Sequence, residues 1–303
     1  MKNLFLLTTL ASASLLPSAF AAPVVEDTPP HAPETLPYPV VNDWEVDAAA
    51  FSSIEERDAT LAARDLLARQ NSPNVVTYCK NPNQFALTFD DGPYQYGADI
   101  AKTLQNNGAK GTFFVNGYNW GCIYDRADDL IARYKAGHVI ASHTWSHPDI
   151  ARLSDSQLNK QLDLVETALR KILGVKPRFF RAPYGSVSSA NLRVLKNRGY
   201  SVIGWNHDSF DAGSNDGNPV KSVAAYKALS ASGGKSYIAL NHETKQGTAR
   251  TIIPQIVPEL KKKGFRLVSM SECLNLSPYQ SVGTPGKRDS SWTCSGTPAP
   301  GQA

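Results

Sequence analysis

Short apolar runs alternate with longer amphipathic stretches along most of this chain, and that alternation limits the possible folds more than any other feature. Seven runs have the length and composition of strands: 85–89, 111–115, 138–141, 178–180, 201–205, 237–240 and 266–268. The clearest helical pattern covers 155–173, where apolar residues fall on one face, and Ser154 with Gln157 predicts a capping box at its start. Strands that alternate with helices predict an α/β fold with a parallel sheet, either a doubly wound open sheet or a closed barrel.

Polar residues come just after five of these strands and favour the barrel. They include Asp90, Asp91, His143, Arg181, Asp208 and His242. In a barrel the carboxyl ends of all strands converge on one face, whereas in an open sheet the ends of so many strands could not all meet. We therefore expect a single catalytic domain that resembles a TIM barrel with one strand fewer than eight.

Composition divides the chain into four parts. Residues 1–21 resemble a secretory signal peptide, with Lys2, an apolar stretch and an Ala19-Phe20-Ala21 cleavage site. Residues 22–75 read as a pro-segment or linker because Pro and charged residues are frequent there. The compact domain is expected over 76–276, and the Ser-, Gly-, Pro- and Thr-rich stretch 277–303 reads as a tail.

Charge and hydropathy exclude two classes of partner. The formal net charge is only +4, and the longest basic run is Lys261-Lys262-Lys263, so the basic footprint of a nucleic-acid-binding protein is missing. After the signal peptide, no run of about eighteen uninterrupted apolar residues predicts a membrane span. We expect a secreted protein of the extracellular space or cell wall, and a monomer, because nothing in the sequence demands a protein partner.

The four cysteines suit an oxidising compartment. None of them is in C-x-x-C spacing, so disulfides are favoured over a cysteine metal site, and three pairings are possible. Cys79 precedes the first strand and Cys273 follows the last, so their pairing would close the domain. Cys122 would then hold the tail through Cys294.

Two histidines four residues apart, in His143-Thr144-Trp145-Ser146-His147, indicate a metal site. Two imidazoles and a carboxylate from the Asp90-Asp91 pair can make a three-ligand site that keeps one position open for water. An open position is typical of a catalytic metal, so the sequence predicts a hydrolase.

Four motifs in order resemble those of the polysaccharide deacetylases, carbohydrate esterase family 4, which share the NodB homology domain. They are Thr88-Phe89-Asp90-Asp91-Gly92-Pro93, His143-Thr144-Trp145-Ser146-His147, Arg181-Ala182-Pro183-Tyr184 and Leu240-Asn241-His242. The resemblance spans nearly all of 76–276 and is strongest to the fungal chitin deacetylases. It implies a distorted seven-stranded (β/α) barrel.

The resemblance also implies a role for each motif residue. Asp91, His143 and His147 would bind one divalent metal, usually zinc, although cobalt and nickel fit similar sites. Asp90 would be the general base, and Arg181 would orient it through a forked pair of hydrogen bonds.

On the leaving-group side, His242 would be the general acid, with Asp208 as the carboxylate that keeps it protonated. Leu240 would line the pocket for the acetyl methyl group, and the backbone N–H of Tyr184 would bind the oxyanion.

One position departs from the family pattern. Many members carry an aromatic residue after Asp211, where this chain has Ala212, which puts one wall of the acetyl pocket in question. Trp145, Tyr94 and Trp120 are further candidates for stacking on sugar rings.

These features predict a secreted, metal-dependent N-deacetylase of chitin or chitooligosaccharides that yields chitosan and acetate. An esterase that removes O-acetyl groups from xylan and a peptidoglycan N-acetylglucosamine deacetylase share the same chemistry and stay open as alternatives. A non-enzymatic, carbohydrate-binding cell-wall protein on the same scaffold is a third. Loss of a metal ligand or of the base would mark such a protein, and neither is lost here.

Overall fold

The computed structural model describes residues 75–212 and 218–303. The strands in chain order are β1 (Val75–Val76), β2 (Gln84–Gly92), β3 (Thr112–Val115), β4 (Val139–Ser142), β5 (Val175–Pro177), β6 (Phe179–Phe180), β7 (Ser201–Ile203), β8 (His207–Asp208), β9 (Tyr237–His242), β10 (Arg266–Val268) and β11 (Tyr279–Val282). The helices are α1 (Gly97–Asn106), α2 (Ala127–Lys135), α3 (Asp155–Leu173), α4 (Ser189–Asn197), α5 (Pro219–Ala228), α6 (Ile253–Lys262) and α7 (Met270–Leu274).

Strand β2 is the centre of the main sheet, in which the described pairings are parallel and the order is β1-β7-β6-β4-β3-β2-β9-β8. One edge of β2 pairs with β9 over 85–90. The other edge is shared, because β10 pairs with 84–86 and β3 pairs with 88–92. The carboxyl end of β2 therefore lies directly beside the carboxyl ends of β3 and β9.

The stretch 201–208 joins the two ends of the curled sheet. It begins as β7, which pairs with β6, and ends as β8, which pairs with β9. The predicted strand 201–205 thus corresponds to β7 alone, which ends at Ile203, and β8 lies beyond it. The predicted fold class, a distorted α/β barrel, is confirmed, and each of the seven predicted strands has a counterpart. Strands β1, β5, β8 and β11 are additions that the periodicity did not predict.

Alternation along the strands decides which residues face the barrel interior. Ala86 of β2 and Ile238 of β9 pack in an inner core with Phe114 and Phe179, whereas Phe85 and its alternates pack outside. Thr88 and Asp90 lie two and four residues after Ala86, on the same face of β2. Leu240 and His242 lie two and four residues after Ile238, on the same face of β9. The polar residues therefore face the interior where the strands end.

Both disulfides favoured by the sequence form. Cys79 pairs with Cys273 in α7 and so connects the start of β2 to the element after the last barrel strand. Cys122 pairs with Cys294. Two disulfides indicate an oxidising compartment, in keeping with an extracellular protein.

Residues 277–303, predicted as a tail, pack on the barrel. Strand β11 pairs antiparallel with β5, and the chain then runs along the carboxyl end of α3, where Gly283 N–H donates to the Gly174 carbonyl (2.7 Å). Composition predicted a tail because Ser, Gly, Pro and Thr are frequent there, and the backbone groups of this stretch find partners on the domain.

Among the described residues, none of the helices combines the length and apolar character needed to cross a bilayer. The predicted signal peptide (1–21) and nearly all of the predicted pro-segment (22–75) lie outside the described residues.

Candidate active site

A distortion at the end of β2 brings two adjacent carboxylates to the same site. In a regular strand, neighbouring side chains point to opposite faces. Here the β2–β3 register shifts between Phe89 and Gly92, and Asp91 has a left-handed backbone (φ 69°). Bulges of this kind re-aim side chains, so Asp90 and Asp91 both lie near the histidines.

The loop that follows β4, residues 143–147, carries both predicted histidine ligands. Thr144 (φ 72°) and His147 (φ 58°) have left-handed backbones, which side-chain-bearing residues rarely adopt. The Thr144 hydroxyl accepts a hydrogen bond from His147 N–H (3.1 Å). The Asn116 amide donates to the carbonyls of His143 (2.5 Å) and Thr144 (3.2 Å). These bonds hold the loop in its tight turn.

Asp91, His143 and His147 form a cluster that fits a divalent metal. One ligand atom from each lies within 4.8 Å of the others. The Asp91 Oδ1 atom is 3.2 Å from His147 Nε2 and 3.6 Å from His143 Nε2. Two imidazole nitrogens and a carboxylate oxygen are good zinc ligands.

The protonation of His143 supports the same fit. Its Nδ1 lies 2.8 Å from the carbonyl oxygen of Arg181, which can only accept, so Nδ1 carries the proton. Burial lowers the pKa of His143 to about 4, so the ring is neutral. The lone pair of Nε2 then faces Asp91. Burial raises the pKa of Asp91, but the neighbouring histidines, His147 foremost, hold it well below its usual value. The Nε2 lone pair of His143 and the Asp91 carboxylate would repel each other, and a cation bound between them would remove this repulsion.

Arg181 lies beside Asp90, but not through the forked pair of bonds predicted from the family. Its Nη1 donates to Asp90 Oδ1 (2.8 Å) and to the Thr88 hydroxyl (2.7 Å). The remaining donors go to the carbonyls of Ile203 and Gly204. The prediction of a bidentate pair is wrong because these backbone carbonyls fix the guanidinium plane. Asp90 Oδ2 stays on the cluster side, 3.9 Å from His143 Nε2.

The carboxylate bonded to His242 is Asp211, so the prediction of Asp208 is wrong. Asp211 Oδ1 is 2.7 Å from His242 Nδ1, and Oδ2 accepts from His242 N–H and from the Thr248 hydroxyl. The chain turns at Phe210 (φ 56°), whose N–H donates to Asp208 Oδ1. The Asp208 carboxylate therefore accepts a hydrogen bond within this turn, and the Asp211 carboxylate lies beside the His242 ring.

This pair changes the acidity of the imidazole. Burial lowers the pKa of His242, but the charge of Asp211 and its hydrogen bond outweigh burial and raise the pKa to about 9. His242 is therefore a cation at neutral pH, in contrast to His143.

The other predicted residues have mixed outcomes. The Tyr184 ring contacts the ring of His147, with centroids 4.7 Å apart, so Tyr184 lies beside a predicted metal ligand. Leu240 is buried in β9, two residues before His242. Ala212 follows Asp211 at the edge of the described segment.

Trp145 is not available for stacking on a sugar, because only 1% of it is exposed and Gly117 packs against its ring. Tyr94 and Trp120 are half-buried and contact each other edge to face (5.5 Å), so both stay candidates for sugar contact.

Sequence reasoning missed a buried ion pair beneath the site. Glu243 accepts from Tyr94 N–H (2.8 Å) and from Arg133 Nη1 (2.7 Å), and Arg133 also pairs with Asp129. Glu243 directly follows His242. Because it accepts the hydrogen bond from Tyr94 N–H, it supports the turn that follows the Asp90-Asp91 pair. Its position in a polar run after a strand was the available signal.

Comparisons with known proteins agree with this geometry. Residues 77–203 match the family described as polysaccharide deacetylase. A chitin deacetylase of a Pestalotiopsis species is 37% identical over 227 residues, which are 75% of this chain and 72% of that protein. A chitin deacetylase of Colletotrichum lindemuthianum is 36% identical over 219 residues, 70% of this chain and 88% of that protein.

The fold is also that of a solved relative. The structure of the chitin deacetylase from the fungal pathogen Colletotrichum lindemuthianum aligns with a TM-score of 0.65 at 33% identity and covers 69% of this chain and 95% of its own. Sequence, fold and site lead to one conclusion. The chain belongs to the polysaccharide deacetylase family.

Proposed function

We propose that this protein is a metal-dependent N-deacetylase that hydrolyses the acetamido groups of N-acetylglucosamine units in chitin or chitooligosaccharides. One observation carries the proposal: three groups with distinct chemistry meet on one face of the barrel. They are the Asp91, His143 and His147 ligand set, the buried Arg181–Asp90 pair and the His242–Asp211 pair. Hydrolysis of an amide needs an activated water, a stabilised oxyanion and a protonated leaving group.

Asp91, His143 and His147 would hold the ion. A divalent metal bound there would lower the pKa of water and polarise the acetyl carbonyl. We propose zinc, because neutral imidazole and carboxylate suit it; cobalt and nickel accept the same donor set.

Asp90 is the general base in this proposal. Its Oδ1 is bound by Arg181, and its Oδ2 faces the ligand cluster, so Oδ2 accepts the proton of the attacking water. The water oxygen adds to the acetyl carbon, and the backbone N–H of Tyr184 donates to the oxyanion that forms. Arg181 is 0% exposed and holds the carboxylate in one orientation.

His242 is the general acid. Asp211 occupies Nδ1, so Nε2 carries the proton that passes to the sugar nitrogen as its bond to the acetyl carbon breaks. The products are a free amine and acetate. Leu240, on the same strand face as His242, is proposed to contact the acetyl methyl group.

The substrate is inferred from the relatives. Two proteins similar by sequence, from a Pestalotiopsis species and from Colletotrichum lindemuthianum, are chitin deacetylases. The shared chemistry would also cleave an O-acetyl ester, so a substrate comparison is the decisive test. We expect acetate release from chitohexaose to exceed release from acetylated xylan and from peptidoglycan. Release from xylan alone, or from peptidoglycan alone, would overturn the proposed substrate.

A further inference from the structure

A buried glutamine of α3 is bonded to the loop that carries the histidine ligands. Gln161 is 0% exposed and lies on the apolar face of its helix, between Leu158 and Leu162. Its Oε1 accepts from the backbone N–H groups of Trp145 and Ser146, each at 2.9 Å. Because only the amide oxygen can accept these bonds, the orientation of the amide is fixed.

The other half of the same amide binds the 294–302 segment. Gln161 Nε2 donates to the Ser146 hydroxyl (2.8 Å) and to the carbonyl of Gln302 (3.0 Å). The Ser146 hydroxyl donates to the same Gln302 carbonyl, and Gly301 N–H donates to the carbonyl of Ser146 (2.6 Å). The hydrogen-bonding capacity of the amide is therefore completely used, half on the loop backbone and half on Ser146 and the segment.

Two further contacts anchor the 294–302 segment to the same loop. The indole N–H of Trp145 donates to the Thr297 hydroxyl (3.0 Å). The Cys294–Cys122 disulfide holds the beginning of the segment to the loop after β3, where Tyr118 N–H donates to the Trp145 carbonyl (2.6 Å). Trp145 is thereby enclosed between Gly117 and the segment.

The 143–147 loop needs such support because its backbone is strained. Thr144 and His147 are both left-handed, and residues with a Cβ keep that conformation only when their surroundings impose it. Trp145 and Ser146, the two residues that Gln161 binds, lie between Thr144 and His147.

We propose that Gln161 and the 294–302 segment form a positioning unit that sets the spacing of His143 and His147 for metal binding. This inference rests on the proposed metal centre. None of these residues belongs to the ligand set, so their effect is on the geometry of the ligands. Outer partners of metal ligands typically change metal affinity by about 10–100-fold.

The test is a metal titration of the whole protein. Metal is removed by chelation, and zinc affinity is measured by competition with a chromophoric chelator for the unaltered chain and for Gln161→Leu. Leucine keeps the bulk of the side chain and removes all four hydrogen bonds. We expect zinc affinity to fall about tenfold or more, with the metal-free protein still folded by circular dichroism.

Two further variants define the outcome. Thr297→Val keeps the shape of the segment and removes the acceptor for Trp145, so we expect a smaller loss of affinity in the same direction. Gln105→Leu makes the same chemical change as Gln161→Leu on an exposed face of α1 and should leave affinity unchanged. If Gln161→Leu does not fold, the zinc affinity of Thr297→Val is compared with that of Gln105→Leu instead.

Unchanged zinc affinity in a folded Gln161→Leu protein would overturn the positioning role. A loss in Gln161→Leu with none in Thr297→Val would overturn the part assigned to the 294–302 segment. An unaltered chain that binds no metal would instead contradict the proposed metal centre, so the two failures are distinguishable.

Discussion

At the scale of single residues, His143 is neutral and His242 is positively charged at neutral pH, each because of its surroundings. His143 is buried and donates Nδ1–H to a neutral carbonyl, so burial dominates and its pKa falls to about 4. His242 is also buried, but an aspartate faces its Nδ1 and its pKa rises to about 9. A neutral imidazole can bind a metal and a charged one can donate a proton, so their surroundings assign the two roles.

The Asp211→Asn variant tests the origin of the His242 charge. Without the Asp211 carboxylate, burial should dominate and the pKa of His242 should fall by about 1–3 units. A general acid works only while protonated, so the alkaline limb of the pH profile of kcat/KM should move to lower pH by a similar amount. Asp128→Asn, at an exposed carboxylate, is the control. An alkaline limb at the same pH in Asp211→Asn would contradict the role of this pair.

The Asp90→Asn variant tests the base. Asparagine keeps an oxygen for Arg181 but cannot accept the proton of the water, so kcat should fall by about 10²–10⁴-fold. Metal affinity should be retained, because Asp90 is outside the ligand set. Acetate release and zinc titration on the same protein separate the two effects. Undiminished kcat would rule out Asp90 as the base.

The sequence predicted which residues the structure brings together at the site, except for the carboxylate partner of His242. Asp90, Asp91, His143 and Arg181 lie within or directly after a strand, and the structure brings them together. Asp208 lies at the end of β8, but the turn at Phe210 places Asp211 rather than Asp208 at the His242 ring. The left-handed backbone of Phe210 leaves no signature in hydrophobic periodicity, so this exchange could not be predicted.

At the scale of elements, the buried Arg133–Glu243 pair links α2 to the end of β9. Both side chains are almost completely buried, and Glu243 also accepts from Tyr94 N–H just after the Asp90-Asp91 turn. Gly92 and Gly97 lie so close to this pair that a Cβ at either would overlap Glu243. This ion pair therefore connects α2 both to this turn and to the end of β9.

Removing one partner of this pair should be costly. We expect Arg133→Leu to lower the free energy of unfolding by about 3–5 kcal/mol, because Glu243 would be left buried without its cation. Urea unfolding measures the change. Arg152→Leu removes an exposed arginine paired with Asp149 and should cost at most about 1 kcal/mol. Equal losses in the two variants would contradict the assigned importance of the buried pair.

The elements were more predictable than their connections. The stripe of Leu158, Leu162 and Val165 predicted α3, and its capping box at Ser154 and Gln157 is present. The same stripe contained the signal that was overlooked: Gln161 is a polar residue at an apolar position, which indicates a buried hydrogen-bond partner. Strands of two or three residues, such as β1 and β5, are too short for any periodicity to reveal.

At the scale of the whole molecule, the two disulfides close large loops. Cys79–Cys273 spans 194 residues and Cys122–Cys294 spans 172. A bond across such a span restricts the unfolded chain strongly. The first closes the barrel domain, and the second holds the 294–302 segment.

The Cys79→Ser, Cys273→Ser double variant tests the contribution of the first disulfide. We expect the free energy of unfolding to fall by about 2–5 kcal/mol because the unfolded chain gains freedom. Equilibrium denaturation of the unaltered and double-variant proteins under oxidising conditions gives the value. A loss near zero would show that the barrel closes equally well without this bond.

The overall architecture followed from the alternation of strands and helices, and the convergence of polar residues at strand ends chose the barrel. The fate of 277–303 could not be predicted in this way. Composition indicates only whether a segment can build a core of its own. This segment is instead held by the domain, through the pairing of β11 with β5 and through the Cys122–Cys294 disulfide.

The central claim is that one metal centre on this barrel removes acetyl groups from chitooligosaccharides. The most direct test is acetate release from chitohexaose by one preparation before chelation, after metal removal, and after zinc is restored. We predict that release stops on removal and returns on addition of zinc. Release that continues at the same rate in the metal-free protein would contradict the claim.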